Sequence, residues 1–398
     1  MFKSKIYLLL GVFISLCCSC EKFEPLAPEE SELLDGPVAG LNTSESRRFL
    51  DGDIAFNDDV FTSENGLGPT FVATSCASCH AGDGKGHPFS TLTRFGQSAP
   101  GMNLFLDQGG PQLQNRAIPG FQPEKIPANA SFSKLTPPAN TGLGFLELVS
   151  DEDILNMADP DDLNGDGISG TPNWIIPPLY IDIPSNAISQ NGSYIHRFGK
   201  KAAAFNLLHQ TVNAYNQDIG ITSAFNPIDP FSGLEEEPEI SINTINDVVF
   251  YLQTLKAPIQ RNSSNPEVLQ GKSLFEQINC SACHRSTLRT GFSSIEVLSN
   301  KEFHPYTDLL LHDMGPALDD GYTEGNAETF EWRTPPLWGL GLSTDSQGGG
   351  FFLMHDGRAR SINDAILLHG GEAQASKTSY EALTQTEKDA LLSFLKSL

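Results

Sequence analysis

The sequence predicts a mainly α-helical protein made of two related domains, with a large loop-rich elaboration of its N-terminal half. A Cys-x-x-Cys-His motif occurs twice, at residues 76–80 and 280–284. Apolar residues recur at helical spacing before the second motif and again at the end of the chain. The chain also contains 36 glycines and 26 prolines among its 398 residues, which indicates many loops. The two motifs therefore predict two domains, and the loops predict the elaboration.

The composition excludes several classes of protein. Aspartate and glutamate outnumber lysine and arginine by 49 to 25, so the formal net charge is -24. Nucleic-acid phosphates need concentrated lysine and arginine, and we therefore expect no nucleic-acid partner. A hydrophobic fraction of 39% is too low for a polytopic membrane protein and too high for a wholly disordered chain. Folded domains with a substantial core are therefore expected.

The first residues are typical of an export signal. Residues 1–19 combine a basic start with an apolar run that is too short to span a bilayer. The run ends just before Cys20, as in bacterial lipoproteins, whose first mature residue is a lipidated cysteine. We expect a lipoprotein signal peptide at 1–19, lipidation of Cys20 and a tether over 20–45. The protein is then anchored by lipid in the cell envelope, on the periplasmic or surface side of a bacterial membrane. An ordinary secretory signal is the alternative.

Four of the seven cysteines remain after the signal region, and all four belong to the two motifs. Cys-x-x-Cys-His is the attachment signature of haem c, in which two thiols add to the vinyl groups at one haem edge. We expect two covalently bound haem c groups, with His80 and His284 as the proximal iron ligands. The expected attachment residues are Cys76, Cys79, Cys280 and Cys283. A redox dithiol would need a βαβ setting, and a zinc site would need a second ligand pair nearby.

The motifs divide the chain into two cytochrome c-like haem domains. Asn265 and Pro266 begin a predicted helix just before the second motif, and the apolar face of residues 384–398 predicts a closing helix. We expect these helices to pack across each other in a C-terminal cytochrome c domain of residues 260–398. The N-terminal haem domain, residues 46–250, then carries large insertions.

From about residue 47 to the C-terminus, the sequence resembles the di-haem oxidoreductase family of dihaem c-type peroxidases. That family is similar to bacterial dihaem cytochrome c peroxidases and to the dihaem enzyme that matures methylamine dehydrogenase. The strings that carry the resemblance are 159–170 (DPDDLNGDGISG), 306–316 (YTDLLLHDMGP), 331–341 (EWRTPPLWGLG), 355–360 (HDGRAR) and 369–373 (HGGEA). Phe198 and Gly199 also match the family, but Lys200 stands where an aromatic residue is usual.

The resemblance implies an enzyme that reduces hydrogen peroxide with electrons from a small redox protein, passed from one haem to the other. One haem would keep an open sixth position for peroxide, and the other would have a second protein ligand. The acidic charge suits a basic electron donor. A non-catalytic dihaem electron carrier is one alternative, and an oxidoreductase that acts on a thiol or a protein substrate is another.

The resemblance also suggests sixth ligands. In the related enzymes the sixth ligand of the C-terminal haem lies on the helix that follows a His-Asp-Gly string, which here makes His369 the first choice. Met354 and Met314 are the alternatives. His87 and Met102 lie near the first motif, but neither is well placed, and this favours an open iron there.

Peroxide cleavage needs a group that moves a proton between the two oxygens. The related peroxidases carry a glutamate shortly before a helix-opening acidic stretch, and the resemblance assigns that role to Glu147. Ser150 and Asp153 then cap the following helix. Electrons pass between two irons more readily through an aromatic side chain, for which Trp174 is preferred to Trp338.

A calcium site is also predicted. Asp162, Asn164, Asp166 and Gly167 match positions 1, 3, 5 and 6 of a calcium loop. Position 12 is Asn173 rather than the bidentate glutamate, so the affinity would be lower. The related dihaem enzymes hold calcium between their haem domains, which supports calcium as a further cofactor. The alternative is a set of Asx turns without a metal.

Overall fold

The computed structural model describes residues 27–398, in which helices and many short strands are mixed. These residues are 34% helical with 13% strand, so the expectation of a mainly α fold is wrong. Glycine and proline stop helices between the motifs, and the extended segments that remain pair their backbone N–H and C=O groups in small sheets. The predicted signal peptide, Cys20 and the start of the tether lie outside the described residues. None of the helices in 27–398 has the length and apolar character of a bilayer span.

The helices vary from single turns to about four turns. In the described part of the chain they are α1 (Thr43–Asn57), α2 (Leu143–Glu147), α3 (Asp151–Met157), α4 (Leu207–Asn213), α5 (Ile242–Thr254), α6 (Pro266–Gln277), α7 (Ser343–Ser346), α8 (Ile362–Leu368), α9 (Gln374–Ala382) and α10 (Gln385–Ser397).

The strands are short and pair antiparallel in small sheets of two or three strands. They are β1 (Thr70–Phe71), β2 (Leu92–Phe95), β3 (Gln97–Ala99), β4 (Met102–Asn103), β5 (Arg116–Ala117), β6 (Phe132–Leu135), β7 (Asn173–Ile175), β8 (Ser189–Gln190), β9 (Ser193–His196), β10 (Leu288–Arg289), β11 (Glu302–Phe303), β12 (Leu311–Asp313) and β13 (Glu331–Arg333). The two-stranded pairs are β1–β5, β2–β6, β3–β4, β10–β11 and β12–β13, and the three-stranded sheet has the order β7–β9–β8.

Helix starts follow capping signals in the sequence. The side chain of Asn42 caps α1 and that of Thr384 caps α10, each in a capping box with a glutamate three residues later. The predicted start of α6 is confirmed: the Asn265 side chain accepts a backbone N–H, and Pro266 occupies the first helical position. These caps satisfy N–H groups that the helices leave without a partner.

The expected contact between the helices at the two ends of the C-terminal half is present. Helices α6 and α10 pack through a buried cluster that includes Val268, Phe275 and Phe394. A Cβ atom built on Gly271 of α6 would lie 2.0 Å from the backbone oxygen of Ala390 in α10. The two backbones therefore approach so closely that only glycine fits at this position.

A second helix pair repeats this contact in the N-terminal half. Helices α1 and α5 pack through Phe49, Phe56 and Tyr251 in a separate cluster. A Cβ atom built on Gly52 would lie 2.1 Å from the backbone oxygen of Asp247. Each half of the molecule thus contains a pair of long helices in contact at a glycine.

The contact at Gly271 gives a direct prediction. The Gly271→Ala substitution forces α6 away from α10, because the new methyl group overlaps the Ala390 carbonyl. We expect the free energy of unfolding to fall by about 1–3 kcal/mol, the usual cost of overpacking a core, measured by urea denaturation of the haem-loaded protein.

Ser273→Ala is the matched control, because Ser273 lies on an exposed position of the same helix. Its effect should stay within about 0.5 kcal/mol of zero. Equal losses in the two variants would contradict the close helix contact.

Candidate functional site

Both motifs line a single cavity of about 440 Å³. All six motif side chains contribute to its wall: Cys76, Cys79, His80, Cys280, Cys283 and His284. Much of the remaining wall is apolar and comes from helices α4, α5, α6, α8 and α10. The two motifs, which are far apart in the chain, therefore share one interior space.

Each motif histidine has one ring nitrogen held by the backbone. Nδ1 of His80 donates to the carbonyl of Pro138 (2.9 Å), and Nδ1 of His284 donates to the carbonyl of Tyr306 (3.0 Å). A carbonyl only accepts, so these bonds fix the proton on Nδ1 and leave the lone pair on Nε2. Burial lowers the pKa of both histidines to about 4, so both rings are neutral near pH 7. A neutral imidazole with a free Nε2 is the form that binds a metal ion.

The thiols are also arranged for attachment. In each motif a turn lets the histidine N–H donate to the first cysteine's carbonyl, at 3.0 Å from His80 to Cys76 and 3.1 Å from His284 to Cys280. The four cysteines of the described residues are free thiols. Burial raises the pKa of Cys76 and Cys280 to about 12 and that of Cys79 to about 11, so they are protonated. Two thiols and one metal-binding nitrogen on an apolar wall fit the edge and the iron of a haem group at each motif.

The helix pairs support the two histidines in the same way. Phe56 of α1 lies 6.0 Å from the His80 ring, and Phe275 of α6 lies 6.3 Å from the His284 ring, between centroids. Each phenylalanine is four residues after the glycine at which its helix touches its partner. One helix pair therefore packs next to the histidine of each motif.

All three predicted sixth ligands of the second haem line the cavity. His369 follows α8, and its Nδ1 donates to the carbonyl of Ala365 (2.7 Å), which leaves Nε2 free. Burial lowers the pKa of His369, and its charge is among the causes that lower the pKa of His284. Met314 and Met354 also line the cavity, and both pack against a small cluster of Leu135, Leu318 and Trp332. The sixth ligand of each haem stays a prediction.

Glu147 lies outside the cavity wall. Its Oε1 accepts the backbone N–H of Leu207 (2.7 Å), and its Oε2 accepts the side chain of Gln253 (2.7 Å). Burial raises the pKa of Glu147, and these hydrogen bonds oppose the rise. The carboxylate therefore holds the N-terminus of α4 against α5. Its catalytic role stays a prediction. The predicted cap of α3 is confirmed, because the Ser150 hydroxyl accepts the N–H of Asp153 (3.0 Å).

A different carboxylate, Asp218, lines the cavity. It lies in the π-helical turn Ala214–Ile219 that continues α4, and π-helical turns are frequent at functional sites. Burial raises the pKa of Asp218 to about 7, although the charge of Arg94 opposes the rise. Asp218 is the charged group that most strongly raises the pKa of both thiols of the first motif, which places Asp218 beside that motif. Sequence reasoning missed Asp218 because no motif surrounds it.

Beside the second motif, buried His312 is clamped between two carboxylates. Its Nε2 donates to Asp308 (2.9 Å) and its Nδ1 to Glu372 (2.6 Å). Burial alone lowers the pKa of His312, but the hydrogen bonds raise it to about 12, so it is an imidazolium. His312, Asp308 and Cys283 are close enough to hold a metal ion, but both ring nitrogens of His312 are already used, so the charge pairing accounts for the cluster. Glu372 also accepts the N–H and hydroxyl of Ser169, which ties a distant loop to this wall.

That loop contains the predicted calcium ligands. The oxygens of Asp162, Asn164 and Asp166 each accept a backbone N–H from within the loop, at 2.8–3.2 Å. This arrangement is a set of Asx turns. Calcium at these three residues stays a prediction.

The remaining candidates are placed as follows. Trp338 and Trp332 line the cavity, and the Trp332 ring stacks on the His355 ring with centroids 3.8 Å apart. Trp174, the preferred bridge, lies in β7 and is not part of the wall. His87 packs against phenylalanine rings outside the wall, and the side chain of Met102 is outside the described part of the structure.

A comparison with protein families agrees with the resemblance seen in the sequence. A family model described as "Di-haem oxidoreductase, putative peroxidase" matches residues 135–235 and 228–398, well over half of the chain. The match includes the second motif, and the first motif precedes it. A solved structure of hydrazine synthase from Kuenenia stuttgartiensis, pressurised with 20 bar xenon, has 15% sequence identity and a TM-score of 0.38. The similarity covers 94% of this chain and 97% of that chain. No curated protein matches the sequence.

Proposed function

Because this chain belongs to the di-haem oxidoreductase family, we propose that it is a c-type dihaem enzyme that reduces hydrogen peroxide. The observation that supports this most directly is the shared cavity, in which both motifs present two thiols and an imidazole with a free Nε2. Haem supplies the electron chemistry, since its iron takes up and releases one electron at a time. The chain supplies attachment, orientation, water exclusion and proton handling.

We propose that haem is attached covalently at both motifs. The four thiols are free and line an apolar wall, as addition to haem vinyl groups requires. The carbonyls of Pro138 and Tyr306 orient His80 and His284 and increase the basicity of Nε2, the nitrogen that would bind iron. At the second motif, His369 is the proposed sixth ligand of the haem iron, since its Nδ1 donates to the carbonyl of Ala365 and its Nε2 is free.

The haem at the first motif is the proposed place of peroxide reduction. Reduction of one peroxide consumes two protons and two electrons and yields two waters, so a proton carrier is needed in the cavity. Asp218 meets this need, because it lines the wall and its pKa is raised by burial to about 7. Glu147 is the residue that the family resemblance assigns, but both its oxygens are engaged by Leu207 and Gln253. Asp218 and Glu147 are therefore competing assignments.

The partner and the location follow from charge and from the N-terminus. A net charge of -24 favours a small, basic redox protein as electron donor, with association that weakens as salt is raised. Residues 1–19 and Cys20 support export and lipid anchoring in the cell envelope. Calcium at Asp162, Asn164 and Asp166 would stiffen the loop that Ser169 and Glu372 join to the second motif.

The attachment prediction is tested by mass. Protein from cells competent in cytochrome maturation should be coloured and should weigh two haems more than the polypeptide. Replacing Cys280 and Cys283 together with serine should remove one haem, because both thioether links are lost there. Ser281→Ala, between the same two cysteines, should keep both haems. Colourless protein, or the bare polypeptide mass, would contradict the proposed function.

The ligand prediction is tested by electron paramagnetic resonance and optical spectra. The His369→Ala substitution should convert one low-spin haem into a high-spin haem, because its iron loses an imidazole. Met314→Leu and Met354→Leu are matched controls on the same wall and should leave the spectrum unchanged. A change in one methionine variant instead would assign the ligand to that methionine. Two low-spin haems that are indifferent to peroxide, in the oxidised and half-reduced protein, would indicate the electron carrier.

Kinetic measurements distinguish Asp218 from Glu147 as the acid–base group. Asp218→Asn should slow the reaction with hydrogen peroxide by about 10²-fold or more, the usual contribution of a positioned acid–base group. The wild-type rate should fall as the pH is lowered through about 7, because protonated Asp218 cannot accept the peroxide proton, and the variant should lose this dependence. Glu147→Gln should change the rate little. A slow Glu147→Gln enzyme beside an unaffected Asp218→Asn enzyme would reverse the assignment.

A further inference from the structure

Two neighbouring lysines have opposite environments. The ammonium of Lys201 is fully buried and donates to the carbonyls of Glu328, Thr329 and Glu331, at 2.6–3.1 Å. It also lies 3.9 Å above the ring of Trp332. Lys200, unlike Lys201, lines the cavity. Among the described residues, the Lys200 ammonium has no hydrogen bond and no ion pair. The fold thus satisfies one ammonium completely and leaves the next one to the cavity.

Lys200 is one of three cations on this part of the wall. Lys85 comes from the glycine-rich loop after the first motif, and Arg333 ends β13. Arg333 donates to the carbonyls of Gly199 (2.9 Å) and Thr334 (3.3 Å). Within residues 27–398, no carboxylate forms an ion pair with any of the three. Burial first, and then the charges of Lys85 and Arg333, lower the pKa of Lys200 to about 7, so the cations are near enough to repel one another.

An anion would stabilise such a cluster. A buried cation is unfavourable unless a partner of opposite charge compensates or the group loses its proton, and the lowered pKa of Lys200 reflects that cost. A bound anion would restore the charged form of the lysines. Asp356 acts on Lys200 from a distance, but its carboxylate is held by Arg358 at 2.8 Å and 3.0 Å. Asp308 acts on Arg333 in the same way, but its carboxylate accepts from Nε2 of His312 at 2.9 Å. Among the described residues, no carboxylate therefore contacts the cluster.

The position of the cluster indicates which anion it receives. Haem carries two propionate groups on the edge opposite to the vinyl groups that form thioether bonds. Lys85 follows the first motif by five residues, and Arg333 is bonded to the carbonyl of Gly199, next to Lys200, so the cluster lies on the wall beside that motif. Lys200 is among the charges that act on His80, whereas none of the three cations is among those that act on Cys76 or Cys79. Lysine and arginine are also the side chains that bind carboxylates best.

We propose that Lys85, Lys200 and Arg333 form a carboxylate-binding site inside the cavity that takes the propionates of the haem at the first motif. This inference rests on the proposed function, because it requires a haem there. The site fixes the orientation of the haem edge and stabilises its reduced form, since reduction adds negative charge beside the cations.

The test uses the haem-loaded full chain and two readouts. Lys200→Met should shift the propionate bending band in the resonance Raman spectrum, because a charged hydrogen bond to a carboxylate is lost. It should also lower the midpoint potential of one haem, measured by spectroelectrochemistry. Lys272→Met is the matched control, since Lys272 is exposed on α6 and carries the same charge. It should change neither readout, and Lys200→Arg should retain most of the wild-type band position.

An unshifted propionate band in Lys200→Met, with both haems present by mass, overturns the proposal and leaves the proposed function intact. A wild-type protein without haem overturns the proposed function itself. If Lys200→Met does not fold, Lys85→Met is read by the same two measurements.

The source of the carboxylate is tested separately. Acetate is titrated into the wild-type holoprotein and followed by the haem spectrum. No saturable change is expected, because the propionates already occupy the cations. A saturable acetate response that Lys200→Met abolishes would overturn the propionate assignment and identify a site for a free carboxylate.

Discussion

The shared cavity is the constraint on which the rest of this structure depends. Its volume is about 440 Å³, and the wall is built from both motifs and from helices of both halves. Much of that wall is apolar, and apolar surface is stabilised when it is removed from water. A group that covers this wall therefore stabilises the fold. Folding and cofactor uptake are then linked processes, as in other proteins whose cofactor occupies the core.

The two halves of the molecule position their motif histidines with the same local arrangement. In each, a glycine lets two helices touch, and a phenylalanine one turn later supports the motif histidine: Gly52 with Phe56, and Gly271 with Phe275. Residues one turn apart lie on one face of a helix, so the glycine contact fixes where the phenylalanine ring stands. A backbone carbonyl then sets the histidine tautomer. The nitrogen proposed to bind iron is thus oriented by a backbone contact of the same ring.

The parts that sequence could predict are those whose signal is local. The two motifs and the caps at Ser150 and Asn265 occupy a few consecutive residues each, and the chemistry of those residues is sufficient to recognise them. The fold class was not predictable in this way, because strands of two to four residues have no periodicity to detect. The first helix pair was missed because residues 57–75 separate Phe56 from its motif, whereas the second motif follows Phe275 closely. Asp218 and Lys200 become candidates only when the cavity is known, since their neighbours in it come from distant segments.

Charge is distributed in a way that composition alone conceals. The chain carries a net charge of -24, yet among the described residues the cavity wall includes basic side chains without an ion pair, among them the cluster of Lys85, Lys200 and Arg333. Where the fold does need to neutralise a buried cation it does so closely, as His312 between Asp308 and Glu372 demonstrates. Acidic residues are abundant, so an unpaired basic cluster is not explained by a shortage of partners. The acidic net charge is complementary to the proposed basic donor, and the cluster of Lys85, Lys200 and Arg333 is complementary to the proposed haem propionates.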